Sequence, residues 1–134
     1  MKTNFVQIIC MMLFVISIQA QNNKNHIVVK QLYDAFESNV FTKKLEELAP
    51  KIQWYNPKAS NTYENRYEIT IMDIIQNEWQ QVEFDHLNFI EIDENNVLVK
   101  GTITGRRAKE CEVVTTQFQH IWSLKDGKII KFIE

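Results

Sequence analysis

Near its C-terminal end the chain alternates between apolar and polar residues on both sides of a tight turn. The segment FQHIWSLKDGKIIKFIE predicts a β-hairpin, with Asp126 and Gly127 at the turn. Side chains alternate between the two faces of a strand, so four residues of the first strand share one face: Phe118, His120, Trp122 and Leu124. A histidine between two aromatic residues is unusual for a plain core face. The pattern indicates the wall of a cavity.

Further upstream, apolar residues recur every three or four positions. This spacing predicts a helix over His26–Ser38, with Val29, Leu32, Tyr33 and Phe36 on its inner side. A second, short helix is predicted from a Thr42 cap through Leu48, and Pro50 ends it.

The next segment predicts a short strand and a long helix. Lys51–Asn56 reads as a strand that Pro57 closes. Asn65 followed by Glu68 resembles a capping box, so we expect a helix from Asn65 to about Gln81. Its inner side would carry Ile69, Met72, Ile74 or Ile75, and Trp79.

The remaining chain has the period of two that is typical of strands. The predicted strands are Val82–Ile92, Val97–Arg106, Cys111–Leu124 and Lys128–Ile133. Helices that precede a run of antiparallel strands indicate an α+β fold, with the order α-α-β-α-β-β-β-β.

The N-terminal residues have the three-part pattern of a secretory signal peptide. Lys2 precedes an apolar run from Phe5 to Ile18, and Ala20 offers a small residue for cleavage. We therefore expect a signal peptide over residues 1–20, a disordered tether over 21–25 and one domain over 26–134. One alternative is an uncleaved anchor. Another is a lipoprotein at Cys10, which is less consistent with the sequence because Ile8 and Ile9 stand where small residues would be expected.

Export and charge limit the possible partners and compartments. The predicted location is secreted or periplasmic, with no membrane association after the signal is removed. The chain carries 15 basic and 17 acidic residues and no basic stripe, so we expect no nucleic-acid partner. Cys111 is the single cysteine after cleavage. We expect it to be a buried, inert thiol, with an intermolecular or reactive site as the alternative.

Three segments, VVKQLYDAFESN, LEELAPKIQWYNP and FQHIWSLKDGKIIKFIE, together resemble the SnoaL-like branch of the nuclear transport factor 2-like (NTF2-like) superfamily. The resemblance covers residues 26–134. It implies a cone-shaped α+β barrel, in which a curved, mostly antiparallel sheet packs on three N-terminal helices around a deep apolar cavity. It also implies a homodimer. The superfamily includes ketosteroid isomerases, polyketide cyclases and non-catalytic binding modules, so fold alone does not give function.

Two positions at which the isomerases carry catalytic carboxylates are not acidic in this chain. Asn56 stands where the base carboxylate would be, and an amide has no useful basicity near neutral pH. His120, or Gln119 if the turn differs by one residue, stands at the second position. The isomerases also use a tyrosine of the first helix, and the predicted register puts Leu32 rather than Tyr33 there. The isomerase mechanism is therefore not supported.

His120 remains the best candidate for acid–base chemistry, because histidine exchanges protons near neutral pH. A structural histidine bonded to a backbone carbonyl is the alternative. The residues expected to line the cavity, as ligand contacts or as packing, are Tyr33, Trp54, Asn56, Trp79, Phe118 and Trp122. No metal-ligand spacing and no cofactor motif is present, so neither a metal nor a cofactor is expected.

Three functions are compatible with these residues. The favoured one is an exported domain that binds a small, mostly apolar molecule without catalysis. The second is a lyase, isomerase or hydrolase that uses His120 as acid or base. The third is a dimeric interaction module with a filled core.

Overall fold

Three helices and five strands make up the part of the chain that the computed structural model describes, residues 25–55 and 68–134. Helix α1 includes residues 25–37. The other elements are α2 (Phe41–Leu48), β1 (Gln53–Tyr55), α3 (Ile71–Ile75), β2 (Trp79–Glu91), β3 (Asn96–Arg107), β4 (Val113–Lys125) and β5 (Lys128–Ile133). The predicted order of elements is confirmed. The predicted signal peptide lies outside the described residues, as does the predicted tether apart from residue 25, which is already helical.

The five strands form one curved sheet in the order β1-β5-β4-β3-β2. Only β1 and β5 pair in parallel; the other pairs are antiparallel. This is the predicted α+β class. No helix within residues 25–55 and 68–134 has both the length and the apolar character needed to cross a membrane.

Two irregularities in β2 interrupt its pairing with β3. The register shifts between Gln80 and Glu83, and again between Asp85 and Asn88. Within them Gln81 and His86 have positive φ angles of 51° and 54°. Bulges of this kind bend a strand and increase its twist, which helps the sheet to curve around the helices.

The core lies between the concave face of the sheet and α1, α2 and α3. On β3 the burial follows the predicted period of two: Val97, Val99 and Ile103 are fully buried. On α1 the fully or nearly fully buried residues are Val29, Leu32 and Tyr33. The hairpin face predicted from the sequence is also inward, since the residues with the lowest exposure on β4 are His120, Trp122 and Leu124.

The prediction of a long helix over Asn65–Gln81 is wrong. Residues 68–70 are not helical, and α3 begins only after Thr70, whose hydroxyl accepts a hydrogen bond from the Asp73 N–H at 3.1 Å. The helix ends at Ile75, and Trp79 is already the first residue of β2, paired with Arg107. Pairing with β3 overrides the helical spacing of the apolar residues, as tertiary contacts commonly do. Asn65 lies outside the described residues.

Two smaller predictions also need correction. Thr42 does not cap α2: Val40 is the N-cap residue and makes no side-chain cap bond. The ring of Phe41, the first helical residue, stacks on Phe36 with centroids 3.7 Å apart, so aromatic packing fixes this end of the helix.

Cys111 is not on a strand and is not buried. It is exposed, with φ of 54°, in the turn between β3 and β4. The turn is closed by a hydrogen bond from the Cys111 N–H to the Arg107 carbonyl at 3.1 Å, which holds the thiol outside the core.

Candidate functional site

A buried histidine lies at the centre of an aromatic cluster in the core. His120 is 1% exposed, and in the sheet it pairs with Val99. Its ring centroid lies 4.3 Å from that of Phe118 and 5.1 Å from that of Phe132. Tyr33, on α1, stacks on it from the helical side at 6.1 Å. The position predicted to face a cavity is therefore enclosed by side chains.

Both nitrogens of His120 have partners within the protein. The Tyr33 hydroxyl lies 2.7 Å from Nδ1, and the same hydroxyl oxygen accepts a hydrogen bond from Trp122 Nε1 at 3.0 Å. An indole N–H can only donate, so the tyrosine oxygen is the acceptor in that bond. A phenol oxygen can accept twice, so the direction of the Tyr33–His120 bond depends on the tautomer of His120.

The second nitrogen faces a carboxylate. Nε2 of His120 lies 3.4 Å from Oε1 of Glu134, and this oxygen also accepts a hydrogen bond from the Ile71 N–H at 2.9 Å. A carboxylate can only accept, so the neutral ring carries its proton on Nε2, which faces Glu134, and Nδ1 accepts from the Tyr33 hydroxyl. We call this series the Tyr33–His120–Glu134 chain. In this chain Trp122 donates to Tyr33, Tyr33 donates to His120, and the protonated nitrogen of His120 faces Glu134.

Burial determines the charge states of His120 and Tyr33. Burial is the main cause that lowers the pKa of His120 below its ordinary value, and it outweighs the opposite effect of Glu134. Burial likewise raises the pKa of Tyr33 well above its ordinary value, with Glu134 adding to the rise and the Trp122 bond opposing it. Both rings are therefore neutral near pH 7, and the hydrogen-bond directions above apply there.

Glu134 is a site residue that the sequence reasoning missed. An uninterrupted hairpin with Lys125 opposite Lys128 would place Ile133 beside His120. The observed register shifts by one residue between Ser123 and Leu124, so that Ile121 pairs with Ile133. The next position, Glu134, then reaches His120. The one sequence signal was the imperfect alternation of KIIKFI, in which two adjacent isoleucines cannot both face the core.

An open depression of about 790 Å³ lies beside the Tyr33–His120–Glu134 chain. Residues 68–70, 100–102 and 116–121 line it, together with His86, Ile133 and Glu134. The lining mixes apolar side chains such as Ile69 and Phe118 with polar ones such as Thr116 and Glu134. Glu134 contacts both His120 and the depression, with 16% of its side chain exposed.

The other predicted lining residues are distributed more widely. Trp122 is fully buried behind His120, and Trp54 is half-buried with its ring 5.3 Å from that of Phe132. Trp79 lies elsewhere, where it packs on Gly105 and lines a separate depression of about 480 Å³. Asn56 lies outside the described residues. Of the predicted set, Tyr33, Phe118, Trp122 and His120 come together around one point.

Within residues 25–55 and 68–134, no group of three or more His, Cys, Asp or Glu side chains could hold a metal ion. The Tyr33–His120–Glu134 chain has one carboxylate and no free imidazole nitrogen, so it offers a hydrogen-bond network and not a ligand set.

Comparison with known proteins identifies the architecture. No protein-family model matches the sequence, and no curated protein matches it. Solved structures do match. An NTF2-like protein of unknown function from Burkholderia pseudomallei is 22% identical over 82% of this chain and 88% of its own, with a TM-score of 0.63.

The chain has the NTF2-like fold. Two further structures share this fold. A protein from Jannaschia, named as a SnoaL-like polyketide cyclase, is 17% identical over 84% of each chain, with a TM-score of 0.63. TerC, crystallised with polyporic acid, is 18% identical over 82% of this chain and 88% of its own, with a TM-score of 0.61. These identities support the fold of the NTF2-like domain and do not transfer an activity to it.

The position of the first-helix tyrosine differs from the sequence prediction. In this NTF2-like domain Tyr33, and not Leu32, brings a polar group to His120. Both residues are buried, but only Tyr33 has a polar side-chain atom, and its hydroxyl bonds to side chains of β4. The apolar stripe of a helix is wide enough to include both neighbours, so the helical pattern could not separate them.

Proposed function

We propose that this NTF2-like domain binds a small organic molecule in the depression beside Phe118 and Glu134. The observation that carries the proposal is the end of the Tyr33–His120–Glu134 chain, where a fixed carboxylate meets an open concave surface. Concave sites with apolar walls and a few oriented polar groups are typical of small-molecule binding. The NTF2-like fold, which hosts many such sites, supports this proposal.

The lining suggests an amphipathic ligand and not a purely apolar one. Ile69 and Phe118 supply apolar surface, while Thr116, on the same face of β4 as Phe118, can form hydrogen bonds. A ligand here would lie at the rim of the aromatic cluster, because the centre of the cluster is filled by Tyr33 and the rings around His120.

A pair of adjacent threonines tests this location. Thr116 lines the depression, whereas its neighbour Thr115 is exposed and bonds to Thr104 at 3.0 Å. With 2-naphthol as the probe, amide shift changes in NMR titrations should centre on Ile69 and Phe118. Thr116→Phe should weaken binding about tenfold, a loss of ~1.4 kcal/mol, and Thr115→Phe should leave it unchanged. Binding that Thr116→Phe does not affect, or an absence of binding, would contradict the proposal.

An acid–base enzyme is the second candidate, and the neutral His120 with a carboxylate partner is the observation that favours it. Tyr33 and Glu134 occupy both ring nitrogens, so substrate protons would be exchanged at Glu134, with His120 as its proton partner. This candidate predicts deuterium exchange from D2O into the α position of a cyclic ketone such as 2-tetralone. His120→Ala should abolish that exchange. In a binding protein there is no exchange to lose, and the same variant only changes affinity.

Export and self-association are also proposed. The pattern over residues 1–20 supports a cleaved signal peptide. Intact mass measurement of protein recovered from the cell envelope or medium should show a start at Gln21, and retention of residues 1–20 would contradict cleavage. Light scattering coupled to size-exclusion chromatography distinguishes the proposed homodimer from a monomer.

A further inference from the structure

One oxygen of Glu134 is bonded to the protein and the other is not. Oε1 accepts from the Ile71 N–H at 2.9 Å and lies 3.4 Å from Nε2 of His120. Among residues 25–55 and 68–134, no side chain or backbone group bonds Oε2. Glu134 lines the depression and is partly exposed there. Oε2 is therefore an acceptor available to a molecule in the depression.

The surrounding contacts hold this acceptor in place. Two donors on Oε1 come from different elements, the first residue of α3 and the middle of β4. The Glu134 N–H is itself bonded to the Tyr55 carbonyl at 3.3 Å, so the backbone at the end of β5 is fixed as well. A carboxylate positioned in this way selects for a hydrogen-bond donor, and bonds to a charged acceptor are about twice as strong as neutral ones.

The rest of the lining favours a ligand with an aromatic body. Phe118 offers an aromatic surface beside Glu134, and aromatic rings pack well against one another.

We propose that Oε2 of Glu134 is the specificity-determining acceptor of the depression, and that it selects small aromatic molecules that carry a hydroxyl group. This inference rests on the proposed binding function, and it adds the chemical class of the ligand. The hydroxyl donates to Oε2 while the ring lies against Phe118.

A matched pair of probes tests the inference on the unaltered protein. We expect 2-naphthol to bind about tenfold more tightly than 2-methoxynaphthalene, which has the same ring system but no donor. Equal affinities would overturn the inference and leave the proposed binding function standing. If neither probe shifts the amide signals of Ile69 and Phe118, the binding function itself fails. Tighter binding of 2-naphthylmethylammonium than of 2-naphthol would also overturn the inference, because the site would then select cations.

Glu134→Gln supplies an independent test that preserves side-chain size. The amide oxygen of Gln can take the place of Oε1 between the Ile71 N–H and Nε2 of His120, which leaves an NH2 group where Oε2 was. An acceptor thus becomes a donor, and the preference for 2-naphthol should fall to less than about twofold. Glu112→Gln, at an exposed position between β3 and β4, is the control and should keep the full preference. A preference retained in Glu134→Gln would overturn the inference; should that variant not fold, the probe pair on the wild-type protein decides.

Discussion

The hydroxyl of Tyr33 on α1 lies 2.7 Å from Nδ1 of His120 on β4, 87 positions further along the chain. This contact joins the first helix to the centre of the sheet through a buried polar pair. Trp122 donates to the same hydroxyl at 3.0 Å. On the other side of the imidazole ring, the protonated Nε2 of His120 faces Glu134. The Tyr33 hydroxyl thus provides a hydrogen-bond partner for both Trp122 Nε1 and His120 Nδ1.

Removing that hydroxyl should destabilise the fold. In Tyr33→Phe the indole N–H of Trp122 and Nδ1 of His120 both lose their partner, and each unsatisfied buried group costs about 1–3 kcal/mol. We expect the free energy of unfolding, measured with urea, to fall by about 2 kcal/mol or more. Tyr55→Phe is the control, since Tyr55 is 56% exposed, and should change it by less than about 0.5 kcal/mol. A Tyr33→Phe protein as stable as the wild type would refute the buried network.

The bonding directions predict one tautomer of His120. Trp122 donates to Tyr33, Tyr33 donates to Nδ1, and Nε2 therefore carries the proton that Glu134 accepts. Long-range ¹H–¹⁵N NMR spectra at pH 7.5 should show a protonated Nε2 and an unprotonated Nδ1. The opposite pattern would mean that Tyr33 accepts from the imidazole, and it would contradict this order of donors and acceptors.

Stability should decrease when the pH falls below 6.5. Burial lowers the folded-state pKa of His120 from its ordinary value of 6.5, so below that pH the unfolded chain binds a proton that the folded chain excludes. The loss is at most about 1.4 kcal/mol per pH unit and continues down to the lowered pKa. The contribution is complete above pH 6.5.

Urea unfolding between pH 7.5 and 5 measures this slope. His120→Gln should reduce it, because the titrating ring is gone. His86→Gln should retain it, since His86 is exposed on the bulge of β2. An equal slope in wild type and His120→Gln would assign the pH dependence to other groups.

Two glycines of β3 should differ in their tolerance of alanine. A Cβ at Gly101 would lie 2.8 Å from the Asp85 carbonyl oxygen and 3.0 Å from the Phe118 ring, and the backbone atom cannot move aside cheaply. At Gly105 the nearest atoms are the end of the Ile69 side chain at 3.1 Å and the Trp79 ring at 3.2 Å. We expect Gly101→Ala to cost about 1–3 kcal/mol in unfolding free energy, and Gly105→Ala to cost less. The reverse order would contradict the close approach of β2 at Gly101.

Local patterns were sufficient to predict most of the fold. The alternation in FQHIWSL placed His120 on the inner face with Trp122 and Leu124, and the Asp126–Gly127 pair placed the turn. The spacing of apolar residues likewise predicted α1, although it could not decide between Leu32 and Tyr33. Such periodicities persist in the structure because each element buries one face against the same core.

Patterns along the sequence predict the order of the elements, the α+β class and the inward direction of His120. The short α3, the bond from Tyr33 to His120 and the contact of Glu134 with His120 depend on tertiary contacts. Trp79 follows a helical spacing but joins β2, because pairing with Arg107 on β3 competes with the helix. Glu134 reaches His120 through a one-residue register shift in the hairpin. Both outcomes depend on how strands pair across space, and periodicity along the chain carries no information on that register.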